Sequence, residues 1–151
     1  MIKEIWNTLT PSGKRSLSLS VTGFTLYALS GIAMMYIVLK ALEAVISGGG
    51  NLLWYWVALV ACLLIKGGSN ILADVRKHYA GFDIVYQVRK NIIYRLKEFS
   101  LGFYTNERLG EISTIIHKDV DKMEMVVGHV WTRMLADFIV SAVLLTALVV
   151  Y

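Results

Sequence analysis

Three runs without a formal charge organise this 151-residue chain: Ser16 to Leu39 with 24 residues, Ala44 to Ile65 with 22, and Phe138 to Tyr151 with 14. A helix needs about 20 mainly apolar residues to cross a bilayer. The first run predicts a span over about 17–39, and the second a span over about 52–73 after a loop at Ser47-Gly48-Gly49-Gly50-Asn51. The third, at 14 residues, would reach roughly 21 Å of a hydrocarbon core about 30 Å thick. It predicts a spanning helix over about 134–151 that is cut short in this chain, the alternative being a short or tilted helix. Between the second and third runs the apolar positions keep a period near 3.6, from Ile71 through Val75, Tyr79, Phe82, Val85, Ile92 and Phe99, with charged residues between them. The period resumes through Ile112, Ile116, Val120, Val127 and Met134. That periodicity predicts helix continued past the membrane and back again over about 74–133.

At the N-terminus, Ile2, Ile5, Trp6 and Leu9 fall on one face of a short helix, with Lys3, Glu4 and Asn7 opposite. Pro11-Ser12-Gly13 is expected to end it. Such a helix suits the membrane interface, which gives an interfacial elbow helix and linker over 1–13 and a partial transmembrane domain over 14–151. Trp54, Tyr55 and Trp56 lie where an interfacial aromatic belt belongs. Gly67-Gly68 and Gly81 are positions where the second long helix could bend. In Gly102 to Gly110, Thr105 or Asn106 can cap a new short helix and Gly110 can end it.

Composition then fixes the class as an all-α membrane protein. Apolar residues make up 56% and charged residues 17%, and mean hydropathy is +0.59, against roughly 45–50% and about 25% in soluble chains. The net charge of +4 has a topological explanation. Lys3, Lys14 and Arg15 precede the first span, and eleven Lys or Arg residues lie from Lys66 to Arg133. The positive-inside rule therefore places the N-terminus and about 66–133 in the cytoplasm, with the Gly48 loop outside. No nucleic-acid partner is required. The lone Cys62 permits no internal disulfide or cysteine-based metal cluster, and the long first apolar run, sixteen residues in, does not read as a cleavable signal peptide.

The stretch FYTNERLGEISTIIHKDVDKME, Phe103 to Glu124, resembles the first intracellular loop of exporter-type ABC transporters. Phe103-Tyr104, Arg108, Gly110-Glu111, Ile112 and Asp119-Val120-Asp121-Lys122 match that family's pattern in register, and Arg89 to Leu101 resembles the basic, aliphatic segment before it. Thr105 stands where the family usually has an acidic residue, Ile115 where Arg is frequent, and Lys118 where a small polar residue is frequent. Ser100-Leu101-Gly102 lacks a proline often found there. The resemblance implies an exporter-type transmembrane domain, here incomplete, in the inner or plasma membrane. It implies that Tyr104, Thr105, Asn106, Glu107, Arg108, Leu109, Gly110 and Glu111 form a coupling helix. That helix would dock on nucleotide-binding domains, carried on the same polypeptide or a separate subunit, alongside a second transmembrane half in a homo- or heterodimer. ATP and Mg2+ would belong to the full-length transporter. This chain has no GxxxxGK[ST] phosphate loop, so it is expected to carry no catalytic residue, cofactor site or enzymatic activity of its own.

Other candidates are weaker. His117 and Asp121 share a helix face, and His78, His129, Asp119 and Glu124 add donors. They read as helix-surface residues, and no metal site is expected. Asp137, at the edge of an apolar span, either faces a substrate pathway or reaches water. Met34 and Met35 either line a cavity or pack against neighbours. The competing function is a membrane-anchored signalling or interaction module with a cytoplasmic helical hairpin. A small pore-forming protein accounts less well for the charged 66–133 region, and a soluble enzyme accounts least well of all for the uncharged runs.

Overall fold

The computed structural model describes residues 2–48 and 50–150. Met1, the Ile2 side chain, Gly49 and Tyr151 lie outside the described residues, so the expectations for Ile2, Gly49 and Tyr151 are not addressed. The described chain is all helix and turn: α1 (Ile2–Thr8), α2 (Pro11–Ile46), α3 (Leu52–Leu96), a 3-10 turn at Leu101–Phe103, and α4 (Asn106–Val150). Helices α2, α3 and α4 are each long and apolar enough to cross a membrane. The chain is an all-α membrane protein.

Two compact units are formed, Met1–Leu19 with Val75–Thr132, and Ser20–Asp74 with Arg133–Tyr151. The first has its own apolar core. Leu9, Leu17, Ala80, Ile84, Val85, Val120 and Val127 are buried there, with Ile5, Val88, Ile92 and Met123 packed around them. The apolar face of α1 therefore serves this core: Leu9 and Ile5 are covered by protein, while Trp6 is exposed with the Lys14 ammonium 5.6 Å from its ring centre. As expected, α1 stops ahead of Pro11-Ser12-Gly13, at Thr8. Those three residues are not a linker, however, but the first turn of α2. Proline has no N–H to lose at the first helical position, and Thr10 caps the turn, its hydroxyl accepting from the Gly13 N–H at 3.1 Å. The Asp83 carboxylate accepts from the Thr10 N–H at 2.9 Å and from its hydroxyl at 2.9 Å, fastening the α1–α2 junction to α3.

The second unit packs through small residues. Ser20 is buried and donates to the Ala73 carbonyl at 2.9 Å. A Cβ on Gly23 would lie 2.9 Å from that of Ala73 and 3.0 Å from the Ser69 carbonyl oxygen. Close approach at small residues is how helices associate in lipid, where no hydrophobic force drives them together. Phe24, Ala73 and Ala136 form the unit's buried cluster, and the Arg133 guanidinium lies 5.4 Å from the Phe24 ring centre. Large apolar side chains such as Trp54, Trp56, Leu64, Phe138 and Leu145 are exposed, a surface suited to acyl chains rather than water. Gly48 and Gly50, at φ 67° and 111°, make the turn after α2. Asn51 then caps α3, its side-chain oxygen accepting from the Leu53 N–H at 3.1 Å.

Candidate functional site

Helix α3 runs out at Leu96 in two tight turns, Glu98 N–H to Arg95 O at 3.1 Å and Phe99 N–H to Leu96 O at 3.2 Å. The loop that follows is packed by its own aromatics. Phe99 and Phe103 stack at 4.3 Å, Tyr104 meets Phe103 edge-on at 5.5 Å, and the Arg108 guanidinium lies 4.7 Å from the Phe103 ring centre. Tyr104 also donates its hydroxyl to the Leu96 carbonyl. Thr105 takes an extended conformation, and its hydroxyl accepts from the Arg108 N–H at 3.3 Å, capping α4.

This arrangement leaves the start of α4 exposed on every side. Thr105, Asn106, Glu107, Arg108, Leu109, Gly110 and Glu111 are exposed, while Tyr104 is half-buried. Leu101, a residue given no role from sequence, is the most exposed large apolar side chain at 92%. Its isolation in Ser100-Leu101-Gly102, outside any helical period, was the available signal. An exposed tip with leucines at 101 and 109 among charges of both signs has the makings of a protein-docking surface.

Gly110 does not end the helix. Its φ is not positive, and the chain stays helical from Asn106 to Val150. The short helix expected at 105–110 is thus the first two turns of α4. A glycine inside a helix costs about 1 kcal/mol. Continuing the helix keeps Ile112 and Ile116 half-buried and Val120 buried, which offsets that cost.

In the rest of the loop motif only Val120 faces inward, while Asp119, Asp121 and Lys122 are exposed but paired. Val120 is a core residue. Asp121 accepts from Arg89 at 2.6 Å, and the same guanidinium donates through Nε to the Ile116 carbonyl at 3.2 Å. Asp119 pairs with Lys122 at 2.7 Å. Arg89 thus joins α3 to the π-helical segment Ile115–Asp119 of α4. The Asp-Val-Asp run supplies an ion pair, a core side chain and a link between helices, in that order.

About five turns of α3 back from its end at Leu96, residues that sequence placed on separate helix surfaces assemble into a second group. His78 Nδ1 and Glu124 Oε1 are 3.2 Å apart, and the His78 and His129 rings meet edge-on at 5.1 Å. His117, expected to share a face with Asp121, lies on the exposed side of the π-helical segment and joins no such group. In the membrane-spanning unit, Asp137 is exposed on α4.

No family model matches the chain, and no solved structure matches it significantly. The ATP-dependent lipid A-core flippase of Syntrophus aciditrophicus (strain SB) is 24% identical to it over 84 residues. That stretch is 56% of this chain and 14% of the flippase, so the chain spans only a small part of that relative's length.

Proposed function

We propose that this chain is the N-terminal transmembrane portion of an ATP-driven ABC transporter of the exporter type. On this reading it forms part of the substrate pathway and couples ATP hydrolysis to transport through Tyr104–Glu111. The observation that carries the proposal is the division of labour in the loop. Its aromatic and Asp-Val-Asp positions are used internally, while Glu107, Arg108, Leu109 and Glu111 stand exposed on a capped helix start. The partial similarity to an ATP-dependent flippase points the same way.

The division of roles follows from chemistry. A run GxxxxGK[ST] would be needed to cradle phosphates. Gly48-Gly49-Gly50 continues instead into Asn51-Leu52, within the turn that starts α3, so the residues present do not fit ATP or Mg2+. Both would be held by nucleotide-binding domains, on this polypeptide or a separate subunit, with a second transmembrane half completing the pathway. The chain itself would be no enzyme. The first unit would lie in the cytoplasm with the N-terminus, and Asp137, in the second unit, would be the chain's candidate contribution to the pathway. Coupling needs an element both partners can bias. A docked tip on continuous helix, braced by Arg89 across to α4, supplies one.

A photo-cross-linker at Arg108, introduced in native membranes, tests this reading. Adducts should map by mass spectrometry to a polypeptide segment close to a GxxxxGK[ST] run. Adducts only with lipid, or only with sequences lacking that run, would overturn the coupling role.

A further inference from the structure

We propose that His78, Glu124 and His129 form a binding site for a divalent transition-metal ion of the zinc class, joining α3 to α4 within the first unit. The inference is independent of the transporter reading. The three side chains place a ligand atom each within 4.8 Å of one another. Ligand nitrogens and oxygens sit about 2.0–2.2 Å from Zn2+, so neighbours in a tetrahedral shell are roughly 3.4 Å apart. The His78–Glu124 pair, at 3.2 Å, already has that spacing. His129 needs only a side-chain adjustment, which its exposure permits.

Local backbone geometry builds the site. Glu124 and His129 are five residues apart. In an α-helix, five residues at roughly 100° each leave the two side chains about 140° apart, on different faces. Met125–Trp131 is π-helical, and a π turn is closed by a bond between residues i and i+5 rather than i and i+4. The wider turn brings Glu124 and His129 nearer to one face, where both meet His78. Isolated π turns concentrate at functional sites.

Two glycines hold the helices close enough for the third ligand. A Cβ on Gly81 would lie 2.7 Å from the Glu124 Cγ, and one on Gly128 would lie 3.1 Å from the Lys77 carbonyl oxygen. The backbones of α3 and α4 therefore meet on either side of the cluster, fixing the distance across which His78 and Glu124 face each other. Phe82 lies against the His78 ring, with 6.1 Å between centroids, restricting its rotation. Two imidazoles and one carboxylate suit Zn2+, Co2+ or Ni2+ better than Mg2+ or Ca2+, which prefer oxygen. The His78 and Glu124 side chains are 41% and 28% exposed, so an ion can enter from solvent and water can complete the shell.

The test uses the full chain in lipid nanodiscs, stripped of metal. Co2+ is titrated by visible absorption, then displaced with Zn2+. One Co2+ per chain is expected, with the spectrum of a four- or five-coordinate nitrogen–oxygen site. His78→Gln, His129→Gln and Glu124→Gln should each weaken binding by about tenfold or more, and His117→Gln should leave it unchanged. Should His78→Gln lose helix content by circular dichroism, the exposed position decides the matter. There His129→Cys should retain binding and shift the Co2+ spectrum toward thiolate charge transfer, while His129→Gln loses it. Absence of stoichiometric binding would overturn the proposal. So would equal weakening by His117→Gln, or a His129→Cys spectrum without a thiolate band.

Discussion

Replacing Asp83 with alanine should free the α1–α2 junction from α3 without unfolding either unit. Asp83 makes two hydrogen bonds with Thr10, one from the backbone N–H at 2.9 Å and one from the hydroxyl at 2.9 Å. A hydrogen bond to a charged acceptor contributes about 1.5–3 kcal/mol, toward the low end where water can take its place. Half-burial at both residues puts each bond at the low end and the combined loss at about 3 kcal/mol, or about 100-fold in the local opening equilibrium at ~1.4 kcal/mol per tenfold. Amide hydrogen exchange of the peptide covering Ile5 to Gly13, followed by mass spectrometry in nanodiscs, reads that equilibrium. Asp83→Ala should accelerate exchange of its protected amides by about that factor, while peptides from α3 in the membrane unit stay as they were. Thr10→Ser keeps both bonds and the cap and should behave as wild type. Thr10→Val removes the hydroxyl bond to Asp83 and also the cap on Gly13. Combined with Asp83→Ala it should fall short of additivity, because the two changes remove one shared bond. Gly13→Ala offers an independent check, since its Cβ would come 2.0 Å from the Asp83 Oδ2 and force the carboxylate aside. Exchange within twofold of wild type in Asp83→Ala, or full additivity with Thr10→Val, would show that Ile5 and Leu9 hold the junction without the carboxylate.

Three further outcomes rest on helix packing and capping elsewhere in the chain. Gly128→Ala should lower the thermal unfolding midpoint, by overpacking worth about 1–3 kcal/mol against the Lys77 carbonyl. Gly67→Ala and Gly68→Ala, each facing open space inside a helix, should raise it instead, by up to about 1 kcal/mol of helix propensity. At the tip, Thr105→Ala should loosen the first turn of α4 by about 1 kcal/mol through loss of the cap, while Thr105→Asp should preserve it. Hydrogen exchange over residues 104–110 distinguishes the two.

How much of this was legible beforehand depended on how local its cause was. The spans come from uncharged runs. The Asn51 turn comes from consecutive glycines and the Thr105 start from a side chain that can reach a backbone N–H three residues on, so all three could be read along the chain. The one helix end misread was at Gly110. Glycine is compatible with helix there, and only the packing of Ile112 and Val120 decides that helix continues. Asp119-Val120-Asp121 was visible as a motif, and the Asp119–Lys122 pair is local, yet the roles of Val120 and Asp121 needed the core and Arg89, the latter 32 residues away.

By itself, the sequence determined the membrane class, the helical periodicity and the charged tip, because a bilayer imposes length and polarity on each segment without reference to the others. Tertiary structure alone decided that Ile5 and Leu9 would join a protein core, that Asp83 would hold Thr10, and that His78 would meet Glu124 and His129. Those pairings rest on helix register and on π turns. A one-residue change in turn length rotates a side chain to another face, and only the packing of one helix on the next sets which turn length is kept.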